Sequence, residues 1–332
     1  MKAVPTPSVT MPRDQVRPSL RAHVQIARID HWVKNVFVLP GTLVALTIDP
    51  ANLTAELPLR LGLGLVAVGL VASSNYVINE VLDAPFDRTH PTKALRPVPA
   101  GQISIPIAYA QWLGLMLAGI GLGLLVSRPF ALSLAALWLM GCVYNIPPAR
   151  TKDLPYVDVL SEAVNNPIRM LAGWYLTDTV VFPPTSLLIS YWMVGSYFMA
   201  IKRLAEYREI GDGARSAAYR RSFAFYTEPR LLVSTMFYGS LAMLFFGAFI
   251  MRYRLEMVLA FPLVALVMAL YLSMAFDADS AAQRPEALYQ EPWLMIAVTS
   301  CTAVMVLLLF IDIPALHDIF MPTVAGRAGI WP

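Results

Sequence analysis

The chain has 332 residues, with 25 Lys and Arg against 22 Asp and Glu for a net charge of +3, and it is 57% hydrophobic with only 14% charged side chains. That balance excludes an ordinary soluble globular domain, and no nucleic-acid partner is expected. The cysteines Cys142 and Cys301 both fall in apolar stretches, and His23, His31, His90 and His317 are scattered, which leaves no CxxC, no zinc spacing and no nucleophilic triad.

In chain order, residues 1–30 begin basic but carry no early apolar core, so no cleaved signal peptide is expected. Residues 17–30 read instead as an interfacial amphipathic helix. Since ~20 apolar residues cross the hydrocarbon core, spans are predicted at 61–79, 97–127, 129–149, 179–201, 231–251, 257–276 and 292–311. Two weaker spans complete the set: 36–48, lengthened by Trp32, and 159–177, which carries Glu162 and Arg169. The expectation is an all-α polytopic membrane protein of about nine transmembrane helices. Residues 1–30 form an N-terminal arm, 31–312 one transmembrane unit and 313–332 a C-terminal tail. Nineteen of the 25 basic residues fall in the N-terminal arm and in the loops after the second, fourth, sixth and eighth spans. Cytoplasmic loops retain Lys and Arg, so the N terminus is expected in the cytoplasm, at the inner cell membrane.

The loop after the second span holds the most informative pattern, NYVINEVLDAPFDRTHPTKALRPVPAG over residues 75–101. Asn79, Asp83 and Asp87 stand at i, i+4 and i+8, and Glu80 precedes the two aspartates by three and seven, so a helix turns all four toward one side. Pro85 removes a helical hydrogen bond, and Asp87 is therefore expected on a following turn. Clustered carboxylates at a membrane surface call for a cation, and Mg²⁺ takes oxygen ligands while sharing its other positions with substrate phosphates. The alternative is a solvated helix end held by Arg88, Lys93 and Arg96.

A second constellation follows the fourth span, YNIPPARTKDLPYVDVLSEAVNNPIRMLAGW from Tyr144 to Trp174. Asp158 and Glu162 share a helix face, and Arg150 and Lys152 precede them. Arg169 lies inside the span, where burial demands an acid or a phosphate opposite it. A salt bridge from Arg169 to Glu162 that only fixes packing is the competing reading. A third, basic group opens the loop after the sixth span with Lys202 and Arg203 and continues through Arg208, Arg215, Arg220 and Arg221. Two acidic groups and a basic one on one membrane face outline a diphosphate cradle; topology signalling toward anionic lipid accounts equally for the distal arginines.

These segments, N-x-x-x-D-x-x-x-D after the second span and YNIPPxRxKD with D-x-x-x-E after the fourth, resemble the UbiA superfamily of intramembrane prenyltransferases. HWVKN at 31–35, DRTHPTKALRP at 87–97, IRMLAG at 168–173 and KRLAE at 202–206 are most similar to its decaprenyl-phosphate phosphoribosyltransferase branch. The resemblance covers about residues 20–312. It implies a UbiA-like bundle with a cytoplasmic-side active site, Mg²⁺ as cofactor, and Asn79, Glu80, Asp83 and Asp87 as metal ligands, with Glu80 standing where Asp is usual. It implies Asp158 and Glu162 as the second acidic motif, and Lys34, Lys93, Arg96, Lys202 and Arg203 as phosphate contacts. Lys152 and Arg169 are further substrate-binding candidates. The expected partners are an isoprenoid lipid, a diphosphate donor and membrane lipid, in a chain that can also form oligomers.

The expected reaction moves 5-phosphoribosyl from phosphoribosyl pyrophosphate to a polyprenyl phosphate. Prenyl transfer from a polyprenyl diphosphate to an aromatic or other small acceptor is the alternative. A lipid-phosphate transporter is a further one, although transporter sites sit near the midplane of repeated halves and these acids cluster at one face.

Overall fold

The computed structural model describes residues 18–88, 93–177, 179, 181–211, 221–277, 280–283 and 285–320. Of the cations counted above, Lys2, Arg13, Arg17, Arg215, Arg220, Arg284 and Arg327 lie outside the described residues, as does His90.

The described residues are mostly helical, without strands. The chain opens with α1 (Leu20–Ile26), capped by the Ser19 hydroxyl on Ala22 N at 3.2 Å, and a 3₁₀ segment Ile29–Val38 that runs into α2 (Leu39–Ile48). Then come α3 (Leu57–Asp87), α4 (Ile105–Val126), α5 (Arg128–Asn145), the short pair α6 (Val157–Ala163) and α7 (Asn165–Trp174), and α8 (Thr185–Ile210). The chain ends with α9 (Glu228–Tyr253), α10 (Phe261–Met274), α11 (Pro292–Phe310) and α12 (Pro314–Ile319). Prolines stand in the first turn of most long helices, where the missing N–H costs nothing. Ser127 and Thr227 accept from the first-turn amides of α5 and α9, and Gly211, at φ 65°, closes α8.

Among the described residues, six helical stretches are long and apolar enough to cross a membrane, including Leu20–Ile48, Leu57–Asp87 and Pro292–Phe310. The chain is an integral membrane protein. The expected fifth span, 159–177, is two short helices with a joint at Val164, and the third begins at Ile105 rather than at residue 97. The expected interfacial helix stops at Ile26, because Arg28 takes a left-handed conformation at φ 47°.

Helix α3 runs unbroken through Pro85. This corrects the expectation that Asp87 lies on a separate turn: the proline is two residues from the helix end, so only the bond to Val81 is lost while Arg88 N still reaches Ala84 O at 3.2 Å.

Close backbone approach sets the bundle interior. A Cβ on Gly41 would lie 1.9 Å from Met170 O, and one on Gly173 would lie 1.8 Å from Val38 O. The two glycines let the 38–42 stretch and α7 touch, and Thr42 Oγ1 seals the crossing by donating to Gly173 O at 2.7 Å. Nearby, Trp32 lies against Gly69 and donates from Nε1 to Ser73 Oγ at 2.9 Å.

Candidate active site

The C-terminal turns of α3 carry Asn79, Asp83 and Asp87 on one face, as the four-residue spacing requires. Asp83 Oδ1 accepts from Lys152 Nζ at 2.5 Å and from Arg150 Nη2 at 2.9 Å, both from the turn after α5. Arg150 also reaches Asp153 Oδ2 through Nε at 3.1 Å. Asp87 Oδ2 accepts from Arg96 Nη1 at 2.7 Å. Asn79 donates from Nδ2 to Asp83 Oδ2 at 3.2 Å and to Asn145 Oδ1 at 2.6 Å.

Glu80, expected in the metal set, is only 2% exposed. Its Oε1 accepts from Val98 N at 3.2 Å and its Oε2 lies 3.6 Å from Arg28 Nη2. It anchors the 93–101 turn and the N-terminal arm to α3.

The second acidic group is built around Arg203. Its guanidinium donates through Nε to Asp158 Oδ2 at 3.3 Å, through Nη2 to Glu162 Oε2 at 3.2 Å and through Nη1 to Glu206 Oε2 at 2.9 Å. Asp158 is fully buried and also accepts from Tyr226 Oη at 2.6 Å and Ser222 Oγ at 3.2 Å. Tyr226 Oη in turn accepts from Tyr156 N at 2.6 Å. Burial first, then the charge of Asp158, pushes the Tyr226 hydroxyl above its ordinary range, so it stays protonated and donating. Arg203, expected as a phosphate contact, is thus committed to three carboxylates at 2% exposure, whereas Lys202 beside it is half-buried on α8.

Tyr144 joins the two groups. Its hydroxyl donates to Glu162 Oε2 at 2.7 Å, and Lys152 Nζ sits 5.9 Å from the centre of its ring. The polar network therefore runs from Asp83 through Lys152, Tyr144 and Glu162 to Arg203 and Asp158.

Arg169 lies on α7, with Tyr76, Tyr191 and Glu162 within electrostatic reach, and its buried Nε has no hydrogen-bond partner among the described residues. Burying such a donor without an acceptor is costly. Lys34 and Lys93 are half-buried, on the 3₁₀ segments Ile29–Val38 and Lys93–Leu95.

Among the described residues no three His, Cys, Asp or Glu side chains gather closely enough to hold a metal ion alone. The donor set still suits a hard cation: Asp83, Asp87 and Asn79 offer oxygens, and Mg²⁺ in phosphate-transfer sites commonly takes one or two carboxylates and fills its octahedron with waters and substrate phosphates.

Asn145 and Arg150 belong to the YNIPPxRxKD segment, but no site role follows for either from the sequence alone; their signal is position: Asn145 directly precedes the Ile146-Pro147-Pro148 helix stop, and Arg150 follows it.

The UbiA prenyltransferase family model matches residues 36–298. Decaprenyl-phosphate phosphoribosyltransferase of Mycobacterium tuberculosis strain H37Rv is 29% identical over 209 residues, covering 63% of this chain and 67% of that protein. Digeranylgeranylglyceryl phosphate synthase of Saccharolobus solfataricus is 38% identical over 82 residues, 25% of this chain and 28% of that one. The matched stretch spans between 28% and 67% of the length of such curated relatives. A UbiA homologue from Archaeoglobus fulgidus bound to DMAPP and Mg²⁺ shares the fold with a TM-score of 0.66 at 18% identity, over 86% of this chain and 99% of that one.

Proposed function

Because the chain belongs to the UbiA prenyltransferase family, we propose that it is a Mg²⁺-dependent intramembrane transferase that moves 5-phosphoribosyl from phosphoribosyl pyrophosphate to a polyprenyl phosphate. The observation that carries the choice of acceptor is Arg169. An arginine in the bundle interior with an unpartnered buried Nε suits an acceptor that is itself an anion, and a neutral aromatic acceptor offers that donor no negative charge. Relatives named as decaprenyl-phosphate phosphoribosyltransferases, 27–29% identical over 63% of the chain, point the same way.

In this reading Asn79, Asp83 and Asp87 hold the cation, which supplies Lewis-acid neutralisation of the departing pyrophosphate. Lys152 and Arg150, already at Asp83, add positive charge beside the leaving group, and Lys34, Lys93, Arg96 and Lys202 line its approach. Arg169 orients the acceptor phosphate. A phosphate oxygen attacks the anomeric carbon as the bond from that carbon to the pyrophosphate oxygen breaks. The nucleophile is already ionised, so no general base is required. Residues 31–312 act as one unit, and the basic loops set the N terminus and this site on the cytoplasmic side of the inner membrane.

The second reading is prenyl transfer from an allylic diphosphate. The 38% identity to an archaeal lipid synthase over 82 residues favours it. Purified protein in nanodiscs, given labelled phosphoribosyl pyrophosphate or a labelled allylic diphosphate with a set of isoprenoid acceptors and Mg²⁺, decides between them. Labelled lipid from phosphoribosyl pyrophosphate and a polyprenyl phosphate is expected. Consumption of the allylic diphosphate alone overturns the phosphoribosyl reading.

A further inference from the structure

Asn145 is 3% exposed, and its amide is oriented by two partners that each have one possible role. Nδ2 donates to Gly141 O at 2.9 Å, a carbonyl that only accepts. Oδ1 accepts from Lys152 Nζ at 2.9 Å, an ammonium that only donates. A flipped amide would lose both bonds, so the oxygen of Asn145 is fixed toward Asn79.

This dictates the neighbour. Asn79 meets the Asn145 oxygen at 2.6 Å and an Asp83 carboxylate oxygen at 3.2 Å, two acceptors, and it must offer its NH₂ to both. With both N–H bonds used, Oδ1 is the acceptor atom of the amide that remains for a ligand. A hard cation binds that oxygen and not an NH₂. Asp83 by itself does not hold the amide once its own oxygens turn to a cation.

We propose that Asn145 is a positioning residue of the metal site: through its fixed oxygen it holds Asn79 with Oδ1 presented as a cation ligand. The proposal rests on the reading of Asn79, Asp83 and Asp87 as the metal site. The chain of orientation starts at a backbone carbonyl on α5 and ends at a side chain on α3, so the packing of these two helices selects the ligand atom.

Mn²⁺ binding to the purified protein in nanodiscs, followed by electron paramagnetic resonance without substrate, tests it. Asn145→Leu should raise the Mn²⁺ Kd at least about tenfold, the range for loss of an outer-shell partner, while Asn145→Asp, which still accepts from Asn79 and Lys152, should stay within about threefold. Should Asn145→Leu not fold, Asn145→Ser takes its place with the same expected loss, since its hydroxyl can reach Gly141 O but is too short for Asn79. In the Asn79→Asp background both branches end in oxygen, orientation no longer matters, and Asn145→Leu should cost no more than about twofold. An equal loss in both backgrounds, or none in either, overturns the proposal. If Asp83→Asn leaves Mn²⁺ affinity unchanged, the metal reading itself fails; if affinity depends on Asp83 and not on Asn145, only the positioning role does.

Discussion

Lys152 Nζ lies 2.5 Å from Asp83 Oδ1, and Lys152 is itself 5% exposed. The carboxylate assigned to the cation is therefore already neutralised by a side chain that has little access to water. Lys152 is the buried member of the pair, whereas Asp83 also keeps Arg150 at 2.9 Å. Removing Asp83 takes a carboxylate from the buried Lys152 ammonium, which costs more than the pair contributes in net stability.

Asp83→Asn should lower Mg²⁺-dependent pyrophosphate release at least about 100-fold, or ~2.7 kcal/mol in barrier terms, and should also lower the melting temperature in detergent. Adding Lys152→Met removes the buried ammonium and should restore most of the melting temperature without restoring turnover. Recovery of turnover in the double variant would sink the assignment of Asp83 to the metal.

Arg203 and Lys202 should separate cleanly despite being adjacent. Arg203→Ala takes the guanidinium away from fully buried Asp158 and two more carboxylates, and a destabilisation of about 3–5 kcal/mol is expected. Lys202→Ala should leave the melting curve alone and raise the donor Michaelis constant, because a charge-assisted contact contributes ~1.5–3 kcal/mol. A stable Arg203→Ala protein with a weakened donor would return Arg203 to the substrate.

Glu80→Gln keeps an acceptor for Val98 N and loses only the longer pairing with Arg28. Its effect on the apparent Mg²⁺ constant should stay within about threefold, against the loss of tenfold or more usual for a ligand or its outer-shell partner. A Mg²⁺ titration of turnover reads this directly. A large rise in the constant would bring Glu80 back into the metal set.

Gly173→Ala drives a methyl group into the Val38 carbonyl. It should destabilise the protein by about 1–3 kcal/mol or more, whereas Gly62→Ala, with nothing within 4 Å of the added carbon, should be neutral or slightly stabilising on helix propensity. Paired melting curves check the contrast. Equal behaviour would mean that the crossing at α7 relaxes freely.

Much of this protein was legible in the sequence because the signals are local. Apolar length marks six of the expected spans, and the four-residue spacing puts Asn79, Asp83 and Asp87 on one face of α3. Pro85 misled because its effect depends on its distance from the helix end, a boundary that periodicity does not fix. The partners of those side chains are another matter. Arg203 meets Asp158 across 45 residues, Asn79 meets Asn145 across 66, and Thr42 meets Gly173 across 131. Which cation neutralises which acid, why Glu80 turns to Val98, and which atom of Asn79 donates to Asn145 follow from helices packed side by side. Composition and spacing specify what each helix carries; hydrogen bonds and ion pairs depend on distances of about 3 Å, and only the tertiary structure sets those between residues so far apart in the chain.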